Sequence, residues 1–259
     1  MIRHPSPNVA RRNQPILDRI RALKADHPFW GYRRIWAQFR KPEDPTINKK
    51  RVLRLMRKND LLVKPNLRLK ALRTPSRSKP KPTQPNLWWG IDMTKVLVQD
   101  FGWIYVTVVL DWFSKKIVGY HIGSQSKAKH WLEALHMAVN RQFPTGVRGH
   151  ELHLMSDNGC QPTAKAFTEA CKTMGIQQAF TSYCNPKGNA DTERLMRTIK
   201  EELFWLREWK SPFVLERRFK EWVEIDYNQL YPHSTLGFKS PAKFEAEYFA
   251  SHNTLLAMA

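Results

Sequence analysis

From residue 87 onward the apolar positions come in short, dense runs that change period as the chain proceeds. LWWGIDMTKVLV (87–98), GWIYVTVVLD (102–111) and KKIVGYHIG (115–123) are rich in β-branched and aromatic residues and are separated by short polar breaks. They predict three antiparallel strands in a meander. KAKHWLEALHMAVNRQF (127–143) then takes up helical spacing, HELHLMSD (150–157) reads as a fourth strand, and PTAKAFTEACKTMG (162–175) as a helix stopped by Gly175. IQQAFTS (176–182) gives a fifth strand, the loop YCNPKGN (183–189) leads into a helix that runs to about Leu203, and SPFVLERRFKEWVEIDYNQL (211–230) gives one more helix. The order β-β-β-α-β-α-β-α predicts an α/β domain.

The first third has a different texture. In QPILDRIRALKAD (14–26), Ile16, Ile20 and Leu23 fall at helical spacing, and GYRRIWAQF (31–39) and INKKRVLRLMRKN (47–59) repeat the pattern with Ile35/Phe39 and Val52/Leu55/Met56. Three short helices are expected. In the third, Lys50, Arg54, Arg57 and Lys58 lie opposite the apolar stripe, which suits a helix lying on phosphates or in a groove, although a solvated basic face on a packing helix gives the same pattern. Residues 63–86 hold Pro65, Pro75, Pro80, Pro82 and Pro85 among basic residues and no acid, so they read as an extended linker that tracks DNA.

Charge separates the two parts. The net +20 is made of +18 in residues 1–87 (23 Lys+Arg against 5 Asp+Glu) and +2 in the rest. A field of that size favours a polyanion, and a phosphate backbone gains most from it through counterion release. The basic 63–86 stretch has no apolar face to sink into an anionic membrane. No stretch approaches the roughly 20 apolar residues of a membrane span, so the expected location is the cytoplasm. Cys160, Cys171 and Cys184 are odd in number and lie 11 and 13 positions apart, which fits reduced bystander thiols better than a zinc site.

The stretch KGNADTERLMRTIKEEL (187–203) opens its helix with two carboxylates, Asp191 and Glu193. An ordinary reading is available: Asn189 caps the helix and Asp191 answers the positive end of its dipole. Other parts of the chain bear on it. WGIDMT (89–94), YVTVVLDWFSKKIVGY (105–120), SDNG (156–159), GNADTERLMRTIKEEL (188–203) and YNQLYPHSTLGFKSP (227–241), with GYRRI (31–35) and NKKRVLRLMRKNDL (48–61) before them, resemble a known family at many separate points. Residues 88–247 resemble the catalytic core of DDE transposases and retroviral integrases. The whole chain resembles the second-frame (OrfB-type) transposase of bacterial insertion sequences.

That resemblance implies a ribonuclease-H-like, five-stranded mixed sheet with flanking helices, preceded by a small basic three-helix region. The implied organisation is a helix-turn-helix-like DNA-binding region at 1–62, the linker at 63–86, the integrase-type core at 87–247 and a C-terminal tail at 248–259. It implies metal ligands Asp92, Asp157 and Glu193, with Mg²⁺, replaceable by Mn²⁺, as a pair of ions. The implied activity is end cleavage and strand transfer of DNA. The implied partners are element ends and target DNA, an upstream first-frame protein or frameshift fusion, and further copies of the chain on DNA, near the bacterial nucleoid. Between Asp157 and Glu193 lie 35 residues, the family's spacing, and Lys200 stands seven after the glutamate where the family carries a basic residue. Tyr231 departs from the family's usual Arg, and Trp30 from its frequent Tyr.

The chemistry asks for the same residue types. Cleaving a phosphodiester and joining its 3′ hydroxyl elsewhere needs an activated nucleophile and a stabilised leaving oxyanion, a task for two Mg²⁺ ions about 3.5–4 Å apart. Hard cations take oxygen ligands, and three carboxylates leave coordination positions open for phosphate. At about 100° per helical residue Asp191 and Glu193 point roughly 200° apart, so one metal site takes only one of them. Glu193, Arg197 and Lys200 share a stripe, a carboxylate followed by two cations for phosphate. Glu193 is therefore the chosen acid and Asp191 the helix-start acid.

Asp111 is expected to be a turn acid, with an auxiliary metal-site role as the alternative; Asn158-Gly159 a tight turn, or a close backbone approach to DNA; Trp88 and Trp89 packing residues, with stacking on a flipped base as the alternative; and His121, His136 and His153 structural. His233 reads as a phosphate contact or a packing residue. Two other functions stay open: a catalytically silent DNA-binding regulator, and a ribonuclease-H-type nuclease.

Overall fold

The computed structural model describes residues 7–40, 47–63, 80–181 and 188–257, so most of the 63–86 linker and of the 183–189 loop, with Cys184, lies outside the described residues. The chain divides into two units, Met1–Leu72 with Pro232–Lys239, and Arg73–Tyr231 with Ser240–Ala259.

In the first unit α1 (Pro7–Asp26), α2 (Tyr32–Ala37) and α3 (Lys49–Lys58) close around Ile20, Ile35, Phe39, Val52, Leu55 and Met56, all buried. These are the apolar positions of the three predicted helices, but α1 starts two turns earlier than expected and runs through Pro15. The Asn48 side chain accepts the Lys50 N–H at 2.8 Å and so fixes the start of α3. Residues Pro232–Lys239 join this unit through Phe238, whose ring meets Trp36 edge-on at 6.2 Å. His233 holds that segment's turn, its carbonyl accepting from the Leu236 and Phe238 N–H groups while its own N–H donates to the Lys239 carbonyl. Trp30 is buried and stacks on His27 at 3.8 Å.

The second unit is built on a five-stranded sheet in the order β3-β2-β1-β4-β5. Strands β1 (Trp88–Val98), β2 (Gly102–Asp111) and β3 (Ile117–Gly123) form the predicted antiparallel meander. Strands β4 (His153–Ser156) and β5 (Gln177–Phe180) add to β1 in parallel, which makes the sheet mixed. Helices α4 (Ala128–Gln142) and α5 (Lys165–Met174) supply the crossovers that parallel strands require. Trp89, Ile91, Val109 and Val118 pack there with Trp131, Ala134, Leu135 and Ala138 of α4. Contact is close at Gly119, where an added Cβ would stand 2.3 Å from the Ala134 carbonyl oxygen.

Helix α6 (Ala190–Glu202) packs on β1 and buries Thr192, Leu195, Met196 and Ile199. The expected single helix over 211–230 is two things in sequence: α7 (Pro212–Glu221), then wider π-helical turns over Trp222–Leu230. The widening sets Asn228 against the irregularity in the β2–β3 ladder. Its Oδ1 accepts the Ile117 N–H and its Nδ2 donates to the Ile117 carbonyl, both at 3.0 Å. Tyr231, where the family's Arg was expected, is buried and stacks on Tyr227 at 5.3 Å, so it serves packing. The last helix, α8 (Pro241–Ala257), runs unbroken across position 247 and docks through Phe244 and Tyr248 on Phe113. The expected C-terminal tail boundary therefore falls inside a helix.

Candidate active site

Strand β1, paired with β2 along its length and with β4 only as far as Gly90, carries Asp92. The β1–β4 pairing ends with Gly90 opposite Met155; Asp92 lies two residues beyond that pair on β1, and Asp157 two residues beyond it, just past the end of β4. Neighbouring strands lie about 4.8 Å apart where they pair, so two acids at equal offsets beyond the last pair both lie at the open end of the sheet. Strand alternation puts Gly90 and Asp92 on one face. That is the face α6 covers, because a Cβ added at Gly90 would stand 2.0 Å from Thr192 Oγ1 and 2.4 Å from Trp112 Nε1. Glu193 is the next residue of α6, on the helix's outer side.

The charges of these side chains act on one another. The Asp92 carboxyl is pushed up to about 6, chiefly by burial. The Met93 N–H, donating to Asp92 Oδ1 at 2.7 Å, works against that rise, the charges of Asp157 and Glu193 add to it, and Lys200 opposes it. All four side chains therefore share one electrostatic neighbourhood. Glu193 is raised as well, by partial loss of its water. Among the described residues, however, no three His, Cys, Asp or Glu side chains stand close enough to enclose a single ion. The carboxylates repel one another across a gap. An all-oxygen set at which carboxylates repel fits a hard divalent cation, whose charge would relieve that repulsion.

The sign of the Asp92 shift gives a test. A carboxyl whose folded pKa lies near 6, against about 3.8 unfolded, opposes folding when ionised. That opposition is complete above pH 6 and vanishes below about 4, so the metal-free chain gains stability as pH falls through this window. Asp92→Asn is expected to stabilise the chain in EDTA by about 1–3 kcal/mol at pH 7.5 and by much less at pH 4.5. Urea denaturation at the two pH values checks it, and equal effects at both would refute it. Asp111, also pushed up to about 6 by burial, titrates alike in both proteins and cancels in the difference.

The start of α6 is clamped from several sides. Trp112 Nε1 donates to Thr192 Oγ1 at 3.1 Å inside the core, and Lys115 Nζ donates to Asp191 Oδ2 at 2.7 Å and to the Trp112 carbonyl at 2.6 Å. Asp191 thus faces Lys115, away from the acid cluster. Asn189 stands at the N-cap position, but its side chain makes no capping hydrogen bond. It is buried with its Oδ1 toward the same Gly90 approach, a correction to the expected cap. None of Gly90, Trp112, Thr192 and Lys115 was expected at the site. A glycine inside a strand was the available signal for close backbone approach.

Other expected residues are placed as follows. Asp111 is buried and accepts from the Ser114 N–H and hydroxyl and from the Asn86 N–H, a turn acid. The Gly159 N–H donates to Asp157 Oδ1 at 3.1 Å, so the Asn158-Gly159 turn holds Asp157. Trp88 lies between Trp112 and His153, stacked on both, and Trp89 is fully buried. His121 pairs with Glu133 at 2.8 Å and stacks on His130, while His136 is exposed. Arg197 is exposed and paired with Glu201 at 2.6 Å. Lys50, Arg54, Arg57 and Lys58 all lie exposed on α3 without an ion-pair partner among the described residues.

Comparison with known proteins bears on this arrangement. Residues 82–186 and 174–241 each match the Integrase core domain family, together spanning more than half of the chain, and residues 11–68 match the HTH-like domain family. The chain is 24% identical over 234 residues to transposase InsD of insertion element IS2A/D/F/H/I/K from Escherichia coli, covering 88% of this chain and 77% of that one. The chain is a DDE transposase of the insertion-sequence class. InsD of element IS2-9 from Escherichia coli (strain K12) is similar at the same identity, over 88% of this transposase and 76% of the relative. A chain of the simian T-cell lymphotropic virus intasome, solved in complex with PP2A regulatory subunit B56 gamma, superposes with a TM-score of 0.53 at 16% identity. The superposition covers 87% of this transposase and 74% of that chain and shows a shared fold. This enzyme is a polynucleotidyl transferase. No described helix is long and apolar enough to cross a membrane.

Proposed function

We propose that Asp92, Asp157 and Glu193 form the metal-binding acids of this transposase, and that it cuts the ends of an insertion sequence and joins them to target DNA. The observation that carries this reading is the shared electrostatic neighbourhood of Asp92, Asp157, Glu193 and Lys200 at the open end of the sheet. Two Mg²⁺ ions, with Mn²⁺ as a substitute, would activate the attacking oxygen there and stabilise the leaving one. Asp92 is set rigidly by the β1 ladder, and Asp157 is held by its turn. Glu193 rides on the first turn of α6, which packs on β1 across from both, and DNA and metal together would draw the three acids onto one site. Lys200, and Arg197 on leaving Glu201, take the phosphate oxygens next to the acids.

Lys50, Arg54, Arg57 and Lys58 on α3 would bind the backbone or groove of the element end, an exposed basic face without acidic partners among the described residues. A first-frame protein or frameshift fusion supplies further end recognition in this reading. Several copies act on paired ends in the bacterial cytoplasm, at the nucleoid. The test mixes purified protein with a labelled duplex carrying the inverted repeat that flanks its gene. Joined products in Mg²⁺ that vanish with EDTA are expected. Binding without any metal-dependent product would leave a DNA-binding regulator, and digestion of an RNA strand in a hybrid without joining would leave a nuclease.

A further inference from the structure

Strand β4 stops pairing with β1 at Gly90, whereas β1 continues to Val98. Along that free edge the residues after α6 fold back, and the Gln99 N–H donates to the Trp209 carbonyl at 2.8 Å. Between hairpin and return lies a groove of about 660 Å³, lined among others by Lys95, Leu97, Trp103, Lys200, Trp205 and Arg207. Its apolar walls are unusually open to water: Trp205 is 63% exposed, Leu97 58% and Trp103 47%. Cations interleave with the rings, Lys95 Nζ lying 4.4 Å above the Trp103 ring and the Arg207 guanidinium 5.6 Å from Trp209. Glu208 is the one acid among the lining residues.

The groove has a position as well as a composition. Lys200 follows Glu193 by seven helical residues, about 10.5 Å, and its charge reaches Asp92, while Lys95, an odd three positions after Asp92, stands on the other face of β1 at the free edge. The groove therefore begins about three stacked nucleotides, at 3.4 Å each, from the acids. Exposed indoles beside cations that make no salt bridge among the described residues suit a ligand that offers flat apolar faces and negative charge together. A DNA duplex hides its base faces within the stack, and only an unpaired strand presents both.

We infer that this groove binds an unpaired stretch of the DNA strand leading away from the cut phosphodiester. Bases stack on Trp103 and Trp205, and phosphates face Lys95, Lys200 and Arg207. The inference rests on the acid cluster being the catalytic site, since only then does a strand end lie at the groove's mouth. It adds a reason for the exposed aromatics, which neither core packing nor metal chemistry uses.

The test measures binding in the Glu193→Gln background, where no DNA is consumed. The probes are a 12-nucleotide single strand carrying 2-aminopurine and the duplex of the same sequence, read by anisotropy and by 2-aminopurine quenching. Trp205→Ala and Trp103→Ala are each expected to weaken single-strand binding about tenfold and relieve the quenching, while duplex binding changes less than twofold. Trp205→Phe keeps a ring and is expected to restore most of the binding, whereas Trp205→Leu is not. Circular dichroism melting identifies any variant that fails to fold, and the exposed Trp205 series then decides. Equal losses for duplex and single strand overturn the inference, as does unchanged single-strand binding. So does a change in sedimentation without a change in DNA binding, which would make the groove a contact between copies. If the Trp variants lose single-strand binding while the wild type joins no DNA in Mg²⁺, the groove stands and the catalytic reading falls. If the wild type joins DNA and the Trp variants bind normally, the reverse holds.

Discussion

Glu193→Gln is expected to abolish DNA joining, by about a thousandfold or more, which is roughly 4 kcal/mol of barrier. Asp191→Asn is expected to leave joining within about fivefold of wild type. The two acids stand two residues apart at the start of one helix, so an effect of helix dipole or capping would strike both alike. Their surroundings differ. Asp191 receives the Lys115 ammonium at 2.7 Å, and the side-chain oxygen of an asparagine still accepts that hydrogen bond. The Lys115 charge pairing lost there is partly buried, about 1 kcal/mol of stability. Glu193 instead acts on Asp92 through charge across the cleft. A glutamine keeps its shape and its helix but cannot bind a hard cation as a carboxylate does. Joining measured on pre-cut ends in Mg²⁺, with binding measured in EDTA, separates chemistry from affinity. If Asp191→Asn kills joining and Glu193→Gln spares it, the assignment of the acids is reversed.

The contrast between these acids also marks how far the site was legible in the sequence. The strand runs at 87–98, 102–111 and 115–123 were readable because β-branched and aromatic residues were interrupted by turn residues, and β1 to β3 occupy nearly those spans. The 200° separation of Asp191 from Glu193 follows from helical period alone, and the Lys115 pairing agrees with it. Less legible were the features made by contact between distant segments. Nothing periodic marks Trp112 as the donor to Thr192, eighty residues later. The π-helical turns at Trp222–Leu230 exist because Asn228 answers the backbone of Ile117, a demand set by the sheet and not by residues 211–230 themselves. Helix α8 was missed because its apolar residues are spread around it, with no single face to give a period. The unoccupied cap at Asn189 has the same origin, since its side chain is turned inward by the close approach at Gly90 and so cannot serve the helix end.

Gly90→Ala is expected to cost about 3 kcal/mol of stability and to lower joining at least a hundredfold in the protein that remains folded. The new Cβ would meet Thr192 Oγ1 at 2.0 Å and Trp112 Nε1 at 2.4 Å, distances no pair of atoms tolerates. Those two atoms are bonded to each other, so neither swings away without leaving a buried polar group unsatisfied. The structure yields where it is softest, by lifting the start of α6 from β1. That motion carries Glu193 away from Asp92 and Asp157, and a misplacement of about 1 Å at reacting groups costs on the order of a hundredfold. Gly119→Ala is the matched control. Its Cβ would meet the Ala134 carbonyl oxygen at 2.3 Å and Ala138 N at 2.7 Å, an overlap of similar severity against α4. It is expected to lose similar stability, as overpacked sites do, yet to join DNA at nearly the wild-type rate below its melting temperature. Denaturation midpoints and joining rates at 20 °C for the two variants decide the matter. Equal losses of activity would mean that catalysis follows global stability, and the role of Gly90 in seating the glutamate would be refuted.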